Sequence, residues 1–206
     1  MKTESSFEVK YYYKFAERRD NFFRPLFKLF SVLHLTPDML SFSGVAMMVL
    51  FALFLKINIL ASLIFLFLTF IFDMLDGGLA RYQGAGTDKG KFKDMFCDNL
   101  NFSIFIIGLV YAGLLNGSIG IIYVYLMLLS RLFRSIKNSF IFKSDWFFKA
   151  MAGFWPAFYA DISYFIFLIY FLFNKNYFNL SSVIISILLS MDVLIYFKRI
   201  LKQKAQ

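Results

Sequence analysis

Residues 72–99 read FDMLDGGLARYQGAGTDKGKFKDMFCDN, and they set four aspartates, Asp73, Asp76, Asp94 and Asp98, between runs apolar enough for a membrane. An aspartate at the centre of a membrane helix costs roughly 2.5 to 3.5 kcal/mol on insertion scales, so a carboxylate in such surroundings points to function. Asp73 and Asp76 stand three positions apart, and Asp94 and Asp98 four. On α-helices each pair therefore shares a face, with Cβ atoms about 5 to 6 Å apart. The segment from Arg81 to Lys89 holds Gly84, Gly86 and Thr87 and reads as a turn, so the two helices are expected to run antiparallel with their carboxylates facing. Crowded anions would take up protons unless divalent cations kept them ionised. An all-oxygen set with no His or Cys ligands suits Mg²⁺ or Mn²⁺, and two ions about 3.5 to 4 Å apart would form a two-metal site.

Small residues extend both carboxylate faces. Gly77 lies one turn after Asp73, Ala80 one turn after Asp76, and Gly90 one turn before Asp94, which leaves room for a ligand. Arg81 closes the first helix, where a guanidinium can take a phosphate oxygen in fork geometry. Written out, the pattern is D-x2-D-G-x2-A-R-x8-G-x3-D-x3-D, eight fixed positions across 26. It resembles the signature of the CDP-alcohol phosphatidyltransferase family at every fixed position. The resemblance extends to Thr36-Pro37-Asp38 at the opening of the first apolar run, although the family usually has Pro-Asn there and this chain has Asp38.

The resemblance implies a metal-dependent transfer of a phosphatidyl-type group from a CDP-linked lipid to a small alcohol, with release of CMP. It implies that Asp73, Asp76 and Asp94 are the principal ligands of two Mg²⁺ or Mn²⁺ ions, Asp73 and Asp94 bridging them. Asp98 would be the general base and would also touch one ion. Thr36, Pro37, Asp38, Gly77, Ala80, Arg81, Thr87 and Gly90 would form the CDP-lipid site, and the protein would be a homodimer. The same motif serves a reversed donor arrangement, in which a CDP-choline- or CDP-ethanolamine-type donor acts on diacylglycerol. A cation-binding transporter is a remoter reading, because the acids fall on one helix pair without the repeats and broken helices common in transporters.

The remainder of the chain supports an all-α integral membrane protein. With 206 residues, 60% hydrophobic side chains and 30 Phe, it is too apolar for a soluble domain of its size. Its single cysteine, Cys97, excludes an intrachain disulfide framework. Met1 to Ser31 lacks a clean apolar stretch, so no signal peptide is expected. Residues 1–36 form an N-terminal juxtamembrane segment in which Tyr11, Tyr12, Tyr13, Phe15, Phe22, Phe23, Phe27 and Phe30 alternate with basic residues. That composition suits an amphipathic helix in the headgroup layer, which Pro25 is expected to divide in two; the competing reading is a solvated basic arm.

Residues 37–206 hold six apolar runs, placed at about 37–56, 57–80, 90–114, 118–138, 152–173 and 178–197, each long enough for a hydrocarbon core about 30 Å thick. Of the 22 Lys and Arg residues, all but Lys56 and Lys175 then fall on one side. That side is expected to be the cytoplasm, with both termini and the aspartates facing it. The formal net charge of +9 is accordingly a signal of topology and anionic lipid, not of nucleic-acid binding.

Arg131, Arg134 and Lys137 repeat every three residues at the end of the fourth run, a basic stripe on one helical face. It reads either as a site for a phosphate on the acceptor or as ordinary positive-inside anchoring. Asp161 and Asp192, in the fifth and sixth runs, are expected to pair with Arg131 or Arg134; the alternative is recognition of an amine on the acceptor. Asn99 and Asn101 are placed to orient Asp98 or to bond between helices. His34, the only histidine, and Trp146 and Trp155 read as interfacial residues.

Overall fold

Apolar runs punctuated by Thr-Pro, Asn, and Gly-rich turns dictate helices with defined ends. A computed structural model describes residues 7–85, 87–141 and 154–203. Among them are seven helices and no strand: α1 (Phe7–Val32), α2 (Pro37–Phe54), α3 (Ile59–Tyr82), α4 (Asp88–Tyr111), α5 (Gly117–Ile141), α6 (Phe154–Phe173) and α7 (Phe178–Gln203).

The N-caps follow from side-chain chemistry, an oxygen accepting from N–H groups that have no partner inside the helix. Thr36 Oγ1 accepts from Met39 N at 3.3 Å, with Pro37 in the first turn. Asn58 Oδ1 accepts from Leu60 N and Ala61 N at 3.0 and 3.1 Å, and Thr87 Oγ1 from Gly90 N at 3.1 Å. The end of α3 closes through Gly84, whose φ of 64° lets Ala85 N reach back to Ala80 O at 2.9 Å. A side chain at Gly84 would cost on the order of 1 kcal/mol for the same left-handed backbone.

The expected runs coincide with α2 to α7. Among the described residues, four helices are long and apolar enough to cross a bilayer: Pro37–Phe54, Ile59–Tyr82, Phe92–Tyr111 and Phe178–Lys198. α5 and α6 carry shorter apolar stretches, Gly117–Phe133 and Tyr159–Phe173. Large side chains such as Phe67, Ile121 and Leu172 stand exposed on the outer faces, as lipid-facing residues do.

Because lipid is as apolar as leucine, helix association here depends on close packing and interhelical hydrogen bonds. α2 is the common neighbour of α3 and α4. Thr69 Oγ1 donates to Gly44 O at 3.3 Å and Ser62 Oγ to Phe51 O at 3.2 Å, tying α3 to α2, while Phe51 and Phe105 stack at 5.4 Å between α2 and α4. α5 packs on α7. It meets α6 where the Tyr123 hydroxyl and Ser163 Oγ share a 2.7 Å hydrogen bond. The main core joins Met48, Phe51, Leu66, Phe105, Tyr123, Phe167 and Leu189 from six helices. A second core of Phe27, Leu40, Leu75 and Leu79 lies at the aspartate end of α3.

One expectation is corrected. Pro25 does not divide the N-terminal segment, because α1 is one 26-residue helix running through it. A proline inside a helix costs about 3 kcal/mol through its missing N–H and its clash with the preceding turn. Tertiary contacts on both sides offset that cost: Asp20, before Pro25, bonds Arg81, and Phe27, after it, is only 1% exposed within the second core.

Candidate active site

α3 and α4 bring the aspartates together as their spacing requires. Carboxylate oxygens of Asp73, Asp76 and Asp94 all lie within 4.8 Å of one another, and the carboxyls of Asp73 and Asp98 are within hydrogen-bond reach. Asp73 lies farthest from the turn in α3 and meets Asp98, farthest from it in α4, so the two helices run antiparallel in register. Asp73, Asp94 and Asp98 are exposed, whereas Asp76 is buried at 4%. Ser41 of α2 supplies what a buried carboxylate needs: its Oγ donates to Asp76 Oδ2.

The cluster fits divalent cations. All of its donors are oxygen, as hard cations prefer, and Mg–O bonds of 2.0 to 2.1 Å place opposite ligand oxygens about 4.1 Å apart. Oxygens already within 4.8 Å need to close by less than 1 Å.

At the end of α3, Asp73, Gly77 and Arg81 form a row at four-residue spacing. A Cβ built on Gly77 would lie 3.5 Å from Arg81 Nη1, so the guanidinium reaches back over Gly77 along the carboxylate face. Its other edge meets α1: Nε and Nη2 donate to Asp20 Oδ2 and Oδ1 at 2.6 and 3.0 Å. Arg19 Nε and Nη2 also donate to Asp20 Oδ1, at 3.3 and 3.2 Å. Burial alone would raise the Asp20 carboxyl, but the hydrogen bonds and charges of Arg81 and Arg19 outweigh it and hold the group below its ordinary value.

The corner at Thr36, Pro37 and Asp38 is drawn to the same end. Gln83 Nε2 donates to Leu35 O at 3.0 Å and to Ser31 Oγ at 3.3 Å, and Asp38 forms an ion pair with Lys93 of α4. Ala80 and Gly90 flank the turn, Gly90 against its capping Thr87.

The CDP-alcohol phosphatidyltransferase family model matches residues 34–195, a range that contains the whole aspartate motif and α2 to α6 complete. The chain belongs to this family. No curated protein and no solved structure matches it. Members of the CDP-alcohol phosphatidyltransferase family transfer a phosphatidyl group from a CDP-alcohol to an acceptor in phospholipid biosynthesis, and the family uses divalent metal, for which the aspartates are suited.

Of the basic stripe, only Arg131 has a described side chain near this phosphatidyltransferase site. Arg131 Nη1 donates to Asn99 Oδ1, beside Asp98, and Asn99 Nδ2 donates to Met95 O at 2.9 Å. Asn99 thus bonds between helices as its position suggested. The side chains of Arg134, Lys137 and Trp155, and all of Trp146, lie outside the described residues. Asp192 accepts from Ser130 Oγ at 2.9 Å, linking α7 to α5, and Asp161 is exposed on α6.

Three residues at the site carried no motif and were missed in the sequence: Ser41, Asp20 and Lys93. Ser41 and Gly44 are three apart in α2, and so share a small face that suits a neighbouring helix. Asp20 is an acid set among Arg18, Arg19, Arg24 and Lys28. Lys93 had no distinguishing signal.

Proposed function

We propose that this protein transfers a phosphatidyl-type group from a CDP-linked lipid, CDP-diacylglycerol or a similar donor, to a small polar alcohol. The observation that carries this reading is the convergence of carboxylates from α3 and α4 on one space bordered by Arg81. Asp73, Asp76 and Asp94, with Asp98 beside them, would hold two Mg²⁺ or Mn²⁺ ions. When bound, the ions supply positive charge against the pyrophosphate and the leaving oxygen. Thr36, Pro37, Asp38, Gly77, Ala80, Arg81, Thr87 and Gly90 line the donor side. Asp98 takes the proton of the acceptor hydroxyl as its oxygen bonds to phosphorus, and the bond from that phosphorus to the CMP oxygen breaks.

A phosphorylated acceptor is supported by the placement of Arg131 beside Asn99 and Asp98, where a cation can hold a phosphate close to the base. Arg134 and Lys137 continue that stripe. We expect Arg131→Ala to raise the acceptor KM about tenfold, the cost of one charge-assisted contact, while the donor KM stays the same; an unchanged acceptor KM would mean that Arg131 only anchors the helix. The wider reading is a six-span protein, α2 to α7, with α1 at the headgroup layer, both termini and the site on the cytoplasmic side, and a homodimeric assembly.

The test is CMP release by purified protein with Mg²⁺ or Mn²⁺ and CDP-diacylglycerol, offered glycerol 3-phosphate, inositol 1-phosphate, serine and inositol one at a time. Release with one acceptor names the product. Release only from CDP-choline or CDP-ethanolamine with diacylglycerol would replace this reading by the reversed donor arrangement.

A further inference from the structure

We infer that Asp20 of α1 is a positioning residue of the donor site, holding the Arg81 guanidinium in a fork so that its far nitrogen lies along the carboxylate face. The inference rests on the donor-site role proposed for Arg81. Asp20 is 61 positions from Arg81 and outside the motif, yet its two oxygens take Nε and Nη2 at 2.6 and 3.0 Å. A planar fork on that edge fixes the plane and direction of a long side chain that would otherwise sample many rotamers.

The seat of α1 is built for this contact. A Cβ on Gly78 would fall 2.4 Å from the Phe27 ring and 3.2 Å from Asp20 Oδ1, so both side chains lie directly on the α3 backbone, three residues before Arg81. Phe27 is buried there and its ring lies 6.1 Å from that of Tyr82, which follows Arg81. On the other side, Arg81 Nη1 stands over Gly77 in the row that leads to Asp73. A pyrophosphate between that nitrogen and the ions that the aspartates would hold would meet a cation already oriented.

The opposing effect is Asp20's own negative charge, which by itself would repel a pyrophosphate. Arg19 shares the same carboxylate oxygen, so the Arg19, Asp20 and Arg81 group keeps a net positive charge. The carboxylate also lies on the α1 edge of the guanidinium, away from the Gly77 side.

The experiment measures CDP binding by calorimetry in the presence of Mg²⁺, and Mn²⁺ binding without nucleotide, on the full chain in detergent. Asp20→Asn should weaken CDP about tenfold, on the scale of one charge-assisted fork, and leave Mn²⁺ affinity unchanged. Asp20→Glu should recover most of the loss. Arg81→Ala should weaken CDP at least as much, and Asp20→Asn added to Arg81→Ala should have no further effect. Asp20→Ser removes the fork without an amide and gives the same result where Asp20→Asn is not recovered folded.

If Arg81→Ala leaves CDP affinity unchanged, the donor-site reading itself fails. If Arg81→Ala weakens CDP but Asp20→Asn does nothing, adds to it fully, tightens CDP or weakens Mn²⁺ equally, the positioning role is overturned while the donor site stands.

Discussion

Asp98→Asn is expected to bind Mn²⁺ and CDP-diacylglycerol yet release CMP about a thousandfold more slowly, the range attributed to a positioned general base. The substitution keeps the shape of the side chain and removes its ability to take a proton. Asp98 adjoins Asp73 at the end of the cluster away from the helix turn, and Asn99 beside it accepts from Arg131, which supports the acceptor approaching from that side. The group of oxygens within 4.8 Å of one another comprises Asp73, Asp76 and Asp94 and does not require Asp98. Metal and donor binding should therefore survive its loss at least in part. Single-turnover CMP release, alongside Mn²⁺ binding followed by electron paramagnetic resonance, separates the two roles. Full activity would remove Asp98 as the base, and loss of Mn²⁺ with loss of turnover would make it a principal ligand instead.

The aspartate hairpin was legible because three- and four-residue spacing fixes a shared helical face whatever the rest of the chain does. The turn was legible for a similar reason, since Gly84 supplies a left-handed backbone and Thr87 a cap by local chemistry alone. What escaped was long-range. Ser41 reaches Asp76 across 35 positions and Lys93 reaches Asp38 across 55, and such partners leave no periodic trace. Pro25 shows the same limit from the other direction: the local rule favours a break, and the anchoring of Asp20 and Phe27 on α3 overrides it. The contact of Arg81 with Asp20 across 61 positions is equally invisible to local spacing.

Asp73→Asn is expected to have the opposite profile to Asp98→Asn, losing metal-dependent CDP binding outright. Asp73 is the hub of the cluster: its carboxylate lies with those of Asp76 and Asp94 and within reach of Asp98. Replacing it removes an anionic oxygen from the centre of the proposed ligand set, and a loss of at least about a hundredfold in Mn²⁺ affinity is expected, since even supporting residues around metal sites contribute 10- to 100-fold. The stability effect without metal runs the other way. Without metal, four close carboxylates must either repel one another or take up protons at a cost, and a neutral amide at one of them relieves part of that cost, so the metal-free variant should unfold at a higher temperature than the metal-free parent. Added Mg²⁺ then distinguishes them. At a hundredfold excess over its Kd a bound ion stabilises the folded state by about 2.7 kcal/mol, so the parent's unfolding midpoint should rise on titration while that of Asp73→Asn stays flat. If the metal-free variant is less stable than the parent and still responds to Mg²⁺, Asp73 is a structural hydrogen-bonding residue and the ligand set must be drawn from Asp76, Asp94 and Asp98.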